Sequence, residues 1–156
     1  AKHIRADNQV DRNNMRGSKY IQSDLQDTFM KVCTDLLANR SVLFSGTSCQ
    51  IAGLKAYLGQ DYDTLLCVDI VCHGVPSPKV WKEYLKWQEK RKHKKIVAAD
   101  FRDKGKYGWK EYIETLYFED DSSVSSDIFK NLFYGHTILD LVAINVRINL
   151  YNIQGI

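Results

Sequence analysis

Apolar positions along the chain follow two periods, and each change of period marks an element. Ile21, Leu25, Phe29, Val32 and Leu36 recur at helical spacing, with Ser23 and Gln26 forming a capping box ahead of them. That pattern predicts a helix over about 23–39. Val42-Leu43-Phe44 is a short apolar run closed by Ser45-Gly46, the pattern of a buried strand. Thr47 and Gln50 form a second capping box, and Ile51, Leu54 and Leu58 carry the next helix to a stop at Gly59. Leu65 to Val71 is apolar on both faces apart from Asp69, as a central parallel strand would be. Ser77 caps a third helix with Pro78 at its first position and Val80, Trp81, Tyr84 and Leu85 inward. Ile96 to Phe101 and Trp109 to Phe118 read as further strands around a charged, glycine-containing loop, and residues 1–17 read as a polar loop or a cut end.

Strand, helix, strand, helix, strand is the order of an α/β fold: a mostly parallel sheet with flanking helices, plus a C-terminal antiparallel strand or hairpin. At 156 residues the chain suits one domain, and 44% hydrophobic with 26% charged residues excludes a disordered or low-complexity chain. The net charge of +3 is too small to argue for nucleic acid, and no apolar run approaches the ~18 residues of a membrane span. Four cysteines without C-x-x-C spacing and no visible leader point to reduced thiols and a cytoplasmic protein. Cys33 and Cys67 lie inside apolar periodic segments and read as packing. The basic run Lys86 to Lys95 reads as a solvated helix end.

Consecutive parallel strands joined by helices would bring the strand-to-helix turns to one sheet edge, where α/β proteins bind ligands. Three unusual stretches fall there: Ser45 to Gln50, Cys72 to Ser77 and Phe101 to Trp109. The first runs from a glycine turn into a helix N-terminus, which favours an anion and would stabilise a Cys49 thiolate. Cys49 is therefore a redox, nucleophile or metal-ligand candidate, against the alternative of a small packed residue. Cys72 and His73 end a buried strand beside Gly74. The imidazole could bind metal or move a proton, or simply bond a turn carbonyl. Arg102, Lys104 and Trp109 offer cationic donors and a flat ring to an anionic, planar ligand. Asp69, alone in an apolar strand, reads as an anchor for one of these loops.

Gly17 to Ser23, Val42 to Leu54, Asp69 to Pro78, and Phe101 to Lys104 with Gly108-Trp109 occur in that order. Together they resemble the C-terminal domain of the coenzyme F-420 hydrogenase/dehydrogenase beta-subunit family, over roughly residues 16–118. The resemblance implies a flavoprotein oxidoreductase in which FAD exchanges electrons, iron–sulfur clusters relay them, and a deazaflavin or other acceptor is reduced. It further implies an electron-transfer partner or a catalytic partner chain. By the same resemblance, Ser18, Lys19, Tyr20 and Gln22 belong to a flavin-facing loop. Gly46, Thr47, Cys49 and Gln50 form a turn beside the redox centre, with Cys72, His73 and Gly74 facing it. Cys49 and His73 are the catalytic candidates, Cys49 and Cys72 the candidate iron–sulfur ligands, and Arg102 and Lys104 the grip on phosphate or an acidic cofactor.

Residues 18–135 make up the expected α/β flavin/redox domain, and two features depart from the family pattern. Ser48 replaces the family's usual proline, and serine is acceptable at a helix start. The ferredoxin-like cysteine cluster and further N-terminal segment of full-length members do not occur in this sequence. The tail, residues 136–156, also departs. A back-translation of positions 139–146, read one nucleotide earlier, gives Leu-Arg-Pro-Ser-Cys-Tyr-Lys-Cys, the family's next cysteine motif. A frameshifted tail is the expectation, with a genuine apolar strand as the alternative. Two functions follow: a fragment of an FAD-dependent, iron–sulfur-linked oxidoreductase, or a catalytically inert fragment or partner-binding subunit that keeps the fold. A nucleotide- or sugar-modifying enzyme using the helix-terminus anion site is a weaker third.

Overall fold

The computed structural model describes residues 1–72 and 74–139. Five strands and six helices follow in the order α1 (Gln9–Asn14), α2 (Thr28–Leu37), β1 (Val42–Thr47), α3 (Ser48–Leu58), β2 (Leu65–Ile70), α4 (Pro78–Lys92), β3 (Ile96–Asp100), α5 (Lys104–Tyr107), β4 (Glu114–Phe118), β5 (Ser123–Ser126) and α6 (Ile128–Tyr134). The α/β class stands: a parallel pair with flanking helices, joined by an antiparallel unit.

β1 and β2 pair in parallel with Val42 opposite Leu65 and Thr47 opposite Ile70. Alternation puts Phe44 and Gly46 on one face, and Phe44 packs with Leu54, Val32 and Leu36 from the two neighbouring helices. Burying each such side chain stabilises the fold by about 1.5–3 kcal/mol. The opposite face is open to water: Leu43, Leu66, Val68 and Ile70 are all exposed. β2 is thus not the doubly covered strand that its apolar run predicts, because no helix among the described residues packs on that side.

β3, β4 and β5 form a separate antiparallel sheet. The expected third parallel strand is therefore corrected. The 15-residue α4 could serve a parallel crossover, but Ile96 pairs with Phe118 and Asp100 with Thr115, and the short turn at 119–122 continues the meander into β5. This sheet carries the second core, in which Trp81 and Tyr84 of α4 meet Leu116 and Phe129, together with Ile21 from the N-terminal segment.

Two helix starts differ from expectation. α2 begins at Thr28 rather than near Ser23, since the Ser23 hydroxyl is engaged by His3 Nδ1 at 2.9 Å and Gln26 takes a positive φ of 45°. Within residues 1–17, Gln9–Asn14 wind into a short helix capped by Asn8, whose side chain accepts from Asp11 N–H. α3 and α4 follow their capping signals. Gln50 Oε1 accepts from Thr47 N–H at 3.0 Å, Gly59 ends α3 at φ 69°, and Ser77 Oγ accepts from Lys79 N–H at 3.2 Å.

Candidate functional site

The β1–α3 turn is built by close backbone packing. Gly46 is buried, and a Cβ there would lie 3.0 Å from the Phe44 ring and 3.1 Å from Gln50 Oε1. A side chain there would fit only if the Phe44 ring and Gln50 gave way by a few tenths of an ångström. Ser48 opens α3, and its hydroxyl donates to Asp69 Oδ2 of β2 at 2.7 Å. Asp69 thus anchors the loop as its place in an apolar strand suggests, although from an exposed position. Cys49 follows in the first turn of α3, exposed, with Sγ 3.1 Å from Thr47 Oγ1.

Cys72 lies two residues beyond Ile70, as Cys49 lies two beyond Thr47, and Thr47 and Ile70 are register partners. Both cysteines therefore stand at the C-terminal edge of the parallel pair, both exposed and unbridged. His73 lies outside the described residues. Gly74, buried at φ 124°, passes so near Leu139 that a Cβ would meet Cδ1 at 2.9 Å.

The third loop belongs to the other sheet and is held from within. Asp103 Oδ1 accepts from Lys106 N–H at 3.0 Å, and Oδ2 accepts from Thr115 at 2.9 Å and Tyr117 at 3.2 Å. Burial raises the Asp103 pKa, but these donors outweigh it and hold the carboxyl below its usual range. Arg102 lies 3.9 Å from the centre of the Tyr112 ring and donates through Nη2 to the Trp109 carbonyl, while its Nε is buried without a partner. Lys104 Nζ sits 4.0 Å over the Trp109 ring.

The segment from Tyr20 to Ser23 touches two of the loops directly and reaches the third through His3. Gln22 N–H donates to the Pro76 carbonyl at 3.2 Å, and the Tyr20 ring meets Phe101 edge-on at 6.1 Å. Ser23 reaches Ser45 through His3, whose Nε2 lies 3.2 Å from the Ser45 carbonyl oxygen. Ser18 is half-buried, whereas Lys19 is turned away, its Nζ lying on the carbonyls of Met15, Arg16 and Gly17 at 3.2–3.4 Å. The pattern reading missed Glu114, a buried carboxyl against Tyr84. Its signal was present, since Glu114 falls in phase with Leu116 and Phe118 on the inward face of β4.

A mixed α/β domain with two thiols on one strand edge is compatible with redox chemistry. The comparisons give the class: a family model for the C terminus of the coenzyme F420 hydrogenase/dehydrogenase beta chain matches residues 39–135. The chain belongs to that oxidoreductase family. The match begins after the Ser18–Gln22 segment. No curated protein and no solved structure matches the chain.

Cofactor fit divides by group. An iron–sulfur cluster takes four sulfur ligands, or two with two imidazoles. Only Cys49 and Cys72 share an edge, since Cys33 is half-buried on α2 and Cys67 packs against the first core. Among the described residues, no group of three or more His, Cys, Asp or Glu is placed to hold a metal ion. A cluster at this edge would need ligands from elsewhere. For a phosphate-bearing cofactor the fit is better, because the buried, unpartnered Arg102 Nε is a donor that an anionic oxygen would satisfy. No helix of the described residues is long and apolar enough to cross a membrane.

Proposed function

We propose that this domain is the flavin-binding part of a redox subunit, exchanging electrons or hydride between FAD and a deazaflavin or other acceptor. The observation that carries the reading is Cys49 in the first turn of α3, beside Cys72 on the shared edge and inside the family-matched segment. Bound FAD would supply reversible hydride chemistry. The N–H groups opening α3 and the Arg102 guanidinium would hold its phosphates, with Lys104 adding charge. Ser18, Tyr20, Gln22, Gly46, Thr47, Gln50 and Gly74 would shape its surroundings, and Lys19 would need to leave its carbonyls to join them. Cys49 and His73 remain the proposed catalytic pair. Cys49 and Cys72 could serve an iron–sulfur centre whose remaining ligands come from outside the described residues. A partner subunit would complete the electron path.

A flavin titration followed by absorbance tests this. Arg102→Ala or Lys104→Ala should weaken binding by about 1.5–3 kcal/mol through loss of a charge-assisted hydrogen bond. Changing Lys90 and Lys92 together should do almost nothing, since exposed charges are screened within about 8–10 Å. Equal losses for both sets would overturn the assignment. The open apolar face at Leu43, Leu66, Val68 and Ile70 favours a second reading, a partner-binding subunit without its own chemistry. A colourless protein that takes up no flavin would select it.

A further inference from the structure

Glu114 is 2% exposed. Its two oxygens have different surroundings. Oε1 accepts from the Tyr84 hydroxyl, and Tyr84 in turn accepts from Gln88 Nε2 at 2.9 Å. That chain makes Oε1 an acceptor, so a proton on the carboxyl belongs on Oε2. Oε2 is buried with no hydrogen-bond partner. Beside Glu114 lies a small, partly open space of about 10 Å³, lined also by Tyr20, Tyr112, Phe129, Lys130 and Tyr134. This is room for one water, provided that polar groups hold it. Lining residues with polar ends are Glu114 itself, the three tyrosines and Lys130.

We propose that Glu114 Oε2 and this space form a proton-exchange site, in which one seated water carries a proton between the buried carboxyl and solvent beside α6. Release breaks the Oε2–H bond and leaves its electron pair on the carboxylate. The proton passes through the water to bulk past Tyr134 and Lys130, and uptake is the reverse. No oxidant or reductant takes part, and the site stands whether or not the domain binds flavin.

The groups facing Glu114 agree with this. Tyr84 and Gln88 come from α4, Lys130 and Tyr134 from α6, Ser126 and Asp127 from the end of β5, and Tyr112 and Tyr20 from the remaining walls. Burial pushes the Glu114 pKa up to about 7, Tyr84 and Ser126 pull it down, and Asp127 raises it. Burial and the neighbouring Glu114 drive the Tyr84 phenol well above its ordinary range, so Tyr84 keeps its proton and remains a donor. The sign is fixed by the raised value. The folded chain holds a proton that the unfolded chain loses, so the folded-to-unfolded ratio falls as pH rises from about 4.5 to about 7. Above that the ratio is level.

Side-chain carbon NMR of the full chain with labelled glutamate, between about pH 4 and pH 9, tests the proposal. One carboxyl should titrate near neutrality and vanish in Glu114→Gln. Tyr84→Phe, which keeps the carboxyl but removes the donor to Oε1, should move that midpoint upward. The wild-type titration and Tyr84→Phe decide the matter should Glu114→Gln fail to fold. A long-lived water should exchange magnetisation with the Phe129 ring. No carboxyl midpoint above about pH 6, a midpoint that survives Glu114→Gln, an unmoved midpoint in Tyr84→Phe, or no water signal at Phe129 would each overturn the site.

Discussion

Cys49 and Cys72 are open to solvent, while Cys67 packs into the first core, where burial pushes its thiol pKa up against the pull of Lys55. Thiolates react and thiols do not, so a limiting alkylating reagent should label Cys49 ahead of Cys33 and Cys67. Mass-spectrometric mapping of the native chain checks the order, and earlier labelling of Cys33 or Cys67 would remove the support that reactivity lends to a redox role for Cys49. Gly74 sets a backbone limit nearby. At φ 124°, with Leu139 Cδ1 2.9 Å from any Cβ, Gly74→Ala should destabilise the fold by about 1–3 kcal/mol in thermal melts. An unchanged midpoint would mean that neither the backbone at this φ nor Leu139 resists the added methyl.

The Arg102–Trp109 loop owes its shape to one carboxylate. Asp103→Ala leaves the Thr115 hydroxyl and the Lys106 N–H without their acceptor and should cost about 1–3 kcal/mol. Because the folded Asp103 pKa lies below its ordinary value, its contribution is present above about pH 4 and fades as pH falls through the folded value. Wild type should therefore lose part of its advantage over the Ala variant in acid, and parallel acid limbs in pH-dependent melts would refute this. Capping chemistry made α3 and α4 legible in the sequence, because Gln50, Ser77, Pro78 and Gly59 act on groups within a few residues of themselves. The same logic failed at Ser23, whose hydroxyl is taken by His3, 20 residues earlier. β3 was misplaced because a helix precedes it, yet its pairing is settled by the meander that follows. The thiol edge was readable from strand ends. Glu114 was readable only as an inward position of β4 and not as a bonded carboxyl, since its partners Tyr84 and Gln88 lie on a helix that no local pattern joins to β4.

For the whole molecule, the open face of the parallel pair is the largest departure from a self-contained domain. Leu66 is 60% exposed there, so Leu66→Lys should leave the melting temperature within the roughly ±0.5 kcal/mol of surface changes while lowering dye binding to exposed apolar surface. A large drop in stability would mean that the face is covered in solution. The two cores also divide the chain unevenly. The first draws on residues 25–67, whereas the second draws on residues 81–138 and on Tyr20 and Ile21, which precede the first core in the chain. On a ribosome, where domains form as they emerge at about 5–20 residues per second, the first core can close early. Tyr20 and Ile21 must wait until Phe129 has been made, more than a hundred residues later. An arrested chain ending near residue 100 would thus carry a complete first core while Tyr20 and Ile21 still lacked Leu116 and Phe129 of the second.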